Sequence, residues 1–115
     1  MASRGELEQR VMELLWGSDG SRSVAEVHVA MSEERELAYT TVMTVLDRLA
    51  KKGMAKRELV NRAWQYEPAD PQHVVIAREM RVLLDGVDGE TRRAALTELA
   101  QSFTDDDRAA LQAAV

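Results

Sequence analysis

Thr40, Thr41, Thr44 and Arg48 fall at the spacing that sets side chains along an outward face of one helix. A threonine there offers a hydroxyl to a base edge and a methyl to a thymine methyl. This is chemistry by which a helix in the major groove tells base pairs apart. Arg48 has the reach for a base edge or for a phosphate. Tyr39, the long polar group just before them, joins the candidate phosphate contacts. A plainer reading has Thr40 or Thr41 capping the helix and Thr44 merely exposed.

Cations follow directly. The window from Arg48 to Arg62 holds Arg48, Lys51, Lys52, Lys56, Arg57 and Arg62 against Glu58 alone, a net of +5 in fifteen residues. The whole chain of 115 residues carries 15 Lys+Arg and 20 Asp+Glu, a formal charge of -5. Residues 1–67 hold 10 basic and 11 acidic groups, and residues 68–115 hold 5 and 9. The acidic excess therefore lies largely outside one basic patch. Lys51, Lys52, Lys56, Arg57 and Arg62 are the further phosphate candidates. Such contacts set register and give salt-dependent affinity, with little sequence information. Asp47 borders the patch, where it repels phosphate, accepts from a cytosine amine, or pairs with Lys51 at i,i+4. Charge alone also fits a solvated helix end followed by a charged hairpin.

The elements that must position these residues follow from periodicity. Val42, Val45, Leu46 and Leu49 form an apolar stripe that predicts a helix over 40–52, stopped at Gly53. Leu7, Val11, Leu14 and Leu15, with Trp16, predict a helix over 6–16 that ends at Gly17-Ser18-Asp19-Gly20. Ser23 and Glu26 have capping-box spacing at the start of a second helix through Val24, Val27, His28 and Met31. A small strand over 21–23 precedes it, and 32–36 reads as a polar connection. Met54 to Val60 and Ala63 to Tyr66 read as a hairpin turning at Asn61-Arg62 and bounded by Pro68 and Pro71. Three helices and then a hairpin make the winged-helix form of helix-turn-helix. The third helix is then the recognition helix and Asn61-Arg62 the wing tip.

Beyond Pro71 the pattern is helical over about 72–85, is broken by Gly86 and Gly89, and resumes over 90–102. A last helix is capped by Thr104, with Asp105, Asp106 and Asp107 in its first turn. These helices have too few large apolar groups for a core of their own, which predicts packing against a second subunit. The expected fold is mainly α with a small β-hairpin. It divides into a winged-helix DNA-binding domain over 1–70 and a helical dimerisation region over 71–115.

Other classes are disfavoured. There is no cysteine, which excludes disulfides, thiolate metal sites and cysteine nucleophiles. A composition 45% hydrophobic and 30% charged is that of a globular chain rather than a disordered one. No run of 18 apolar residues occurs, and the charged start from Met1 to Glu8 lacks an apolar signal core, so a cytoplasmic protein is expected. His28, among Val24, Val27 and Met31, reads as packing or surface. His73, near Asp70, would need a symmetry mate to hold a metal. No Ser-His-Asp spacing, phosphate loop or paired carboxylates stand out. The expectation is no enzyme, no metal and no cofactor.

The run Leu37-Ala38-Tyr39-Thr40-Thr41-Val42-Met43-Thr44-Val45-Leu46-Asp47-Arg48-Leu49-Ala50-Lys51-Lys52-Gly53 resembles the third helix of the BlaI/MecI/CopY family of penicillinase and antibiotic-resistance repressors. Glu8, Val11, Met12, Leu15 and Trp16 resemble that family's first helix. Arg62-Ala63-Trp64-Gln65-Tyr66-Glu67-Pro68 resembles its return strand. The likeness is close over roughly 6–70. Over 71–115 it extends only to helix order and the break at Gly89.

The resemblance implies a homodimer whose winged helices bind operator double-stranded DNA and whose C-terminal helices interlock. It implies repression of beta-lactamase, resistance or copper-homeostasis genes. Its groove-reading positions match Thr40, Thr41, Thr44 and Arg48, and its first-helix core aromatic matches Trp16. The dimerisation set is Val75, Met80, Leu83, Leu84, Leu96, Leu99 and Leu111. Lack of cysteine departs from the copper-responsive members. Members cleaved through a membrane-bound sensor protease break an Asn-Phe bond. The nearest register here is Glu98-Leu99, and the nearest bond before a phenylalanine is Ser102-Phe103. The competing class is a winged-helix protein-interaction adaptor without sequence-specific DNA readout.

Overall fold

The apolar stripes read above converge on one core. In the computed structural model, which describes residues 4–115, the elements run α1 (Arg4–Trp16), β1 (Arg22–Ser23), α2 (Val24–Ser32), α3 (Tyr39–Lys51), β2 (Ala55–Val60), β3 (Ala63–Pro68), α4 (Gln72–Asp85), α5 (Gly89–Gln101) and α6 (Asp105–Ala114). The start of the charged N-terminal segment, Met1–Ser3, lies outside the described residues. The fold is mainly helical, with a three-stranded antiparallel sheet in the order β1-β3-β2. The chain divides into two units, Met1–Val74 and Val75–Val115.

In the first unit, α1 contributes Val11, Met12 and Leu15 to the core, α2 contributes Val24, Val27 and Met31, and α3 contributes Val42, Val45, Leu46 and Leu49. Ala55 and Tyr66 close it from β2 and β3. The helix termini have separate solutions. At α2, Ser23 Oγ accepts from the Glu26 N–H at 3.1 Å while the Glu26 carboxylate accepts from the Ser23 N–H at 3.0 Å, the expected capping box. At α3 the cap is Ala38, with no side-chain hydrogen bond, so neither Thr40 nor Thr41 caps it. Both threonines lie inside the first turn and are free to face outward.

At its other end α3 stops in a Schellman motif. The Met54 N–H donates to the Leu49 carbonyl at 3.0 Å and the Gly53 N–H to the Ala50 carbonyl at 3.1 Å. This requires a left-handed residue, and Gly53 has φ 77°. The chain then enters the hairpin, where Leu59 stands opposite Trp64 and Arg57 opposite Tyr66. Asn61 (φ 49°) and Arg62 (φ 68°) both take positive φ, as a two-residue type I′ turn demands. Asparagine adopts that conformation readily and arginine does not, so the wing tip carries local strain at Arg62. The return strand continues to Pro68, beyond the Tyr66 end expected from sequence.

In the second unit, α5 is capped by Asp88, whose carboxylate accepts from the Thr91 N–H at 2.7 Å. Gly89 is thus the first residue of a helix rather than a breaker, and the interruption falls at 86–88. Thr104 caps α6, as expected, and Asp107 completes a capping box that the sequence reading had taken only as first-turn charge. Within residues 75–115 only Val75 is buried. No helix among the described residues is long and apolar enough to cross a membrane.

The connection between α2 and α3 is tied back to α1 by Arg10. Its Nε lies 2.8 Å from each Glu34 carboxylate oxygen, and its guanidinium also reaches Glu13 at 3.0 Å. Hydrogen bonding from Arg10 holds the Glu34 carboxyl below the usual carboxylate range. A lowered folded-state value stabilises the fold above about pH 4, and that contribution disappears as pH falls through the lowered value. Glu34→Gln is expected to reduce the urea midpoint at pH 7, and the difference from wild type should shrink steadily as pH is lowered into the acid range.

Candidate nucleic-acid interface

Burying Val42, Val45, Leu46 and Leu49 leaves Thr40 and Thr44 exposed, with Thr41 and Arg48 half-buried on the flank of α3 next to α1. There Thr40, Thr41, Thr44 and Arg48 line one shallow groove of about 280 Å³, together with Val45 and Leu7 of α1. The structure therefore brings together all four residues singled out as base readers. Thr44 Oγ1 donates to the Thr40 carbonyl at 2.9 Å. With its hydrogen committed, the hydroxyl is left to accept from a base amine, beside a methyl available to a thymine.

Tyr39 opens the helix and is half-exposed. Its ring meets the edge of His28 at a centroid distance of 5.6 Å and an interplanar angle of 74°. His28 Nε2 lies 2.8 Å from the Leu37 carbonyl oxygen, so it donates and ties α2 to the entry of α3. His28 thus has the packing role read from sequence.

The cations divide into two groups. Arg48, Lys56 and Arg62 form no ion pair among the described residues. The others are engaged. Lys51 Nζ lies 3.0 Å from Asp47, the Arg57 guanidinium 3.1 Å from the same carboxylate, and Lys52 Nζ 2.7 Å from Glu8. The Arg57 guanidinium carbon also stands 4.3 Å from the centre of the Trp64 ring. Hydrogen bonding from Lys51, with a smaller effect from Arg57, holds the Asp47 carboxyl below its usual range.

Sequence reasoning anticipated the Asp47–Lys51 pair, because i,i+4 neighbours are visible in a helix. It missed the third and fourth members. Arg57 is ten residues away on another element, and Trp64 was read only for strand preference. It also missed Glu8 as the partner of Lys52.

The remaining candidates are dispersed. Trp16 is half-buried against the core and its Nε1 donates to the Asp70 carbonyl at 3.0 Å. His73 is exposed in the first turn of α4. Among the described residues no group of three His, Asp or Glu side chains converges on a metal-sized site.

Of the dimerisation set, Met80, Leu83, Leu96 and Leu111 are exposed, and Leu84 and Leu99 are half-buried. Val75 differs, being buried within the chain. Ile76, Val82 and Val87 are further exposed apolar groups that the sequence reading did not single out. Glu98 and Leu99 lie within α5, while Ser102 and Phe103 follow its end.

A winged helix with an outward threonine–arginine face and a cationic hairpin defines a DNA-binding transcriptional regulator, not an enzyme. The model of the penicillinase repressor family matches residues 4–115, and the chain belongs to that family. It is 39% identical over 112 residues to the transcriptional regulator BlaI of two Mycobacterium tuberculosis strains, covering 96% of this chain and 81% of the relative.

Among solved structures it is similar to the monomeric form of Bacillus licheniformis BlaI in complex with the blaP half-operator. That match has 28% identity and TM-score 0.50, and covers 63% of this chain and 84% of the other. The ferric uptake regulator from Pseudomonas aeruginosa, solved with manganese, shares the fold at 21% identity and TM-score 0.50. The match covers 56% of this chain and 50% of that one.

Arg57 and Trp64 should be energetically coupled. A double-mutant cycle of Arg57→Ala and Trp64→Ala, read by urea denaturation, is expected to return about 0.5–1 kcal/mol of coupling. Simple additivity would show the stacked geometry to be without energetic consequence.

Proposed function

We propose that this regulator works as a homodimer on operator DNA, with α3 in the major groove and the β2–β3 hairpin beside the backbone. The observation that carries the reading is the single groove shared by Thr40, Thr41, Thr44 and Arg48; the hairpin adds Lys56 and Arg62, which form no ion pair among the described residues. The likeness to a BlaI solved on a half-operator supports it. The threonines and Arg48 read base edges, while Tyr39, Lys56 and Arg62 meet phosphates first. Lys51, Lys52 and Arg57 add phosphate contacts through the N–H donors that their carboxylate partners leave free. The regulated genes are beta-lactamase, antibiotic-resistance or stress genes, and the protein acts in the cytoplasm.

The dimer forms through residues 71–115, where exposed Met80, Leu83, Leu96 and Leu111 have no core of their own to enter. Release from DNA proceeds by cleavage through a membrane-bound sensor protease. The Ser102-Phe103 bond lies outside α5, and Glu98-Leu99 lies inside it. A protease needs extended backbone, which supports the former.

Fluorescence polarisation on a duplex from the protein's own promoter and on a random duplex, at moderate salt, tests the reading. The promoter is expected to bind at least about 10³-fold more tightly. Equal affinity would favour the protein-interaction adaptor. Arg48→Ala should cost about 1–3 kcal/mol on the promoter and little on random DNA; equal losses would make it a phosphate contact. Truncation after Asp70 leaves the core cluster of the winged helix intact. It should give a monomer in analytical ultracentrifugation, whereas a dimer of unchanged strength would refute the assignment of residues 71–115.

A further inference from the structure

Asp47 is an acid on a surface that the proposed function, on which this inference rests, turns toward phosphates. It lies one helical turn from Thr44, adjacent to Arg48. It also lines a cleft of about 290 Å³ between α3 and the hairpin with Met43, Thr44, Arg57, Trp64 and Tyr66. Its carboxylate binds Lys51 on its own helix at 3.0 Å and Arg57 on β2 at 3.1 Å. Arg57 in turn lies over the Trp64 ring of β3 at 4.3 Å. One carboxylate thus connects the recognition helix to both strands of the wing and occupies two of the six cations in the basic window.

We propose that Asp47 is a specificity-determining residue, which withholds Lys51 and Arg57 from indiscriminate phosphate contact and sets the wing against the base-reading face of α3. Affinity for random duplex comes from neutralised phosphates and the counterions they release. Two cations already neutralised by a carboxylate contribute little to it. On a cognate site, the same ion pairs hold Arg57 and the stacked Trp64 in place relative to Thr44 and Arg48. Backbone contact and base contact are then made together only when the sequence fits. The acid therefore lowers binding to every DNA, and lowers it most where there is nothing to read.

The test uses the full-length protein, as wild type, Asp47→Asn and Asp47→Glu, on the promoter duplex and a random duplex across a salt series. Asp47→Asn is expected to bind random duplex about 3–10-fold more tightly, with a log K against log salt slope steeper by up to about 2. It should gain less on the promoter, so that the preference ratio falls severalfold. Asp47→Glu, which keeps the carboxylate, should restore most of the ratio. An equal gain on both DNAs, or no change on either, overturns the proposal. If wild type prefers its promoter and Asp47→Asn keeps the same ratio, only the role of Asp47 fails. If wild type shows no preference, the repressor reading fails first.

Discussion

Four buried side chains of α3, Val42, Val45, Leu46 and Leu49, set the rotation of that helix about its axis. They enter a core built by α1, α2 and the sheet, and Leu46 is wholly removed from solvent. A helix with one apolar stripe has one way to lie on such a core. Once that face is spent, Thr40 and Thr44 are directed away from it and Arg48 lies at its edge. The Schellman stop at Gly53 then turns the chain back along the helix, which brings Arg57 beside Asp47 and Trp64 over Arg57. The candidate interface is thus a consequence of packing: its polar residues sit where they do because apolar ones on the same helix are buried.

Burial also separates the two halves of the chain. The winged-helix unit closes its core internally, with capped or tied termini at α2 and α3. The helices of the second unit are well capped, by Asp88 and by the Thr104–Asp107 box, yet they leave large apolar side chains in water. Caps contribute about 1 kcal/mol each to a helix but supply no tertiary burial. Ile76, Val82, Leu83 and Leu96 stay exposed, and this exposure is what the proposed dimer would cover.

Much of this could be read from the residues because the relevant signals were local. The apolar stripes, the Ser23 and Thr104 caps, the Gly53 stop and the Asn61-Arg62 turn all lie within a few residues of what they determine. The grouping of Thr40, Thr41, Thr44 and Arg48 on one face follows from period alone. Ends were less clear: α3 begins at Tyr39 with Ala38 as its cap, and Gly89 starts a helix that Asp88 caps, because the capping residue rather than the glycine decides the boundary there. The contacts missed were those made between elements. Asp47 with Arg57, Arg57 with Trp64, and Lys52 with Glu8 exist only after the hairpin and α1 have packed, and no spacing rule in one chain segment announces them. Net charge misled in a related way, since a total of -5 conceals a basic window whose cations are half engaged.

The central claim is that α3 and the hairpin, and not the C-terminal helices, form the surface that meets DNA. Amide chemical-shift mapping of the isotope-labelled full-length protein, titrated with its promoter duplex, addresses this most directly. The account predicts the largest changes over residues 39–52 and 56–64, with residues 105–115 little affected. Changes concentrated in α4–α6, with the amides of Thr40, Thr41, Thr44 and Arg48 unmoved at saturation, would contradict it.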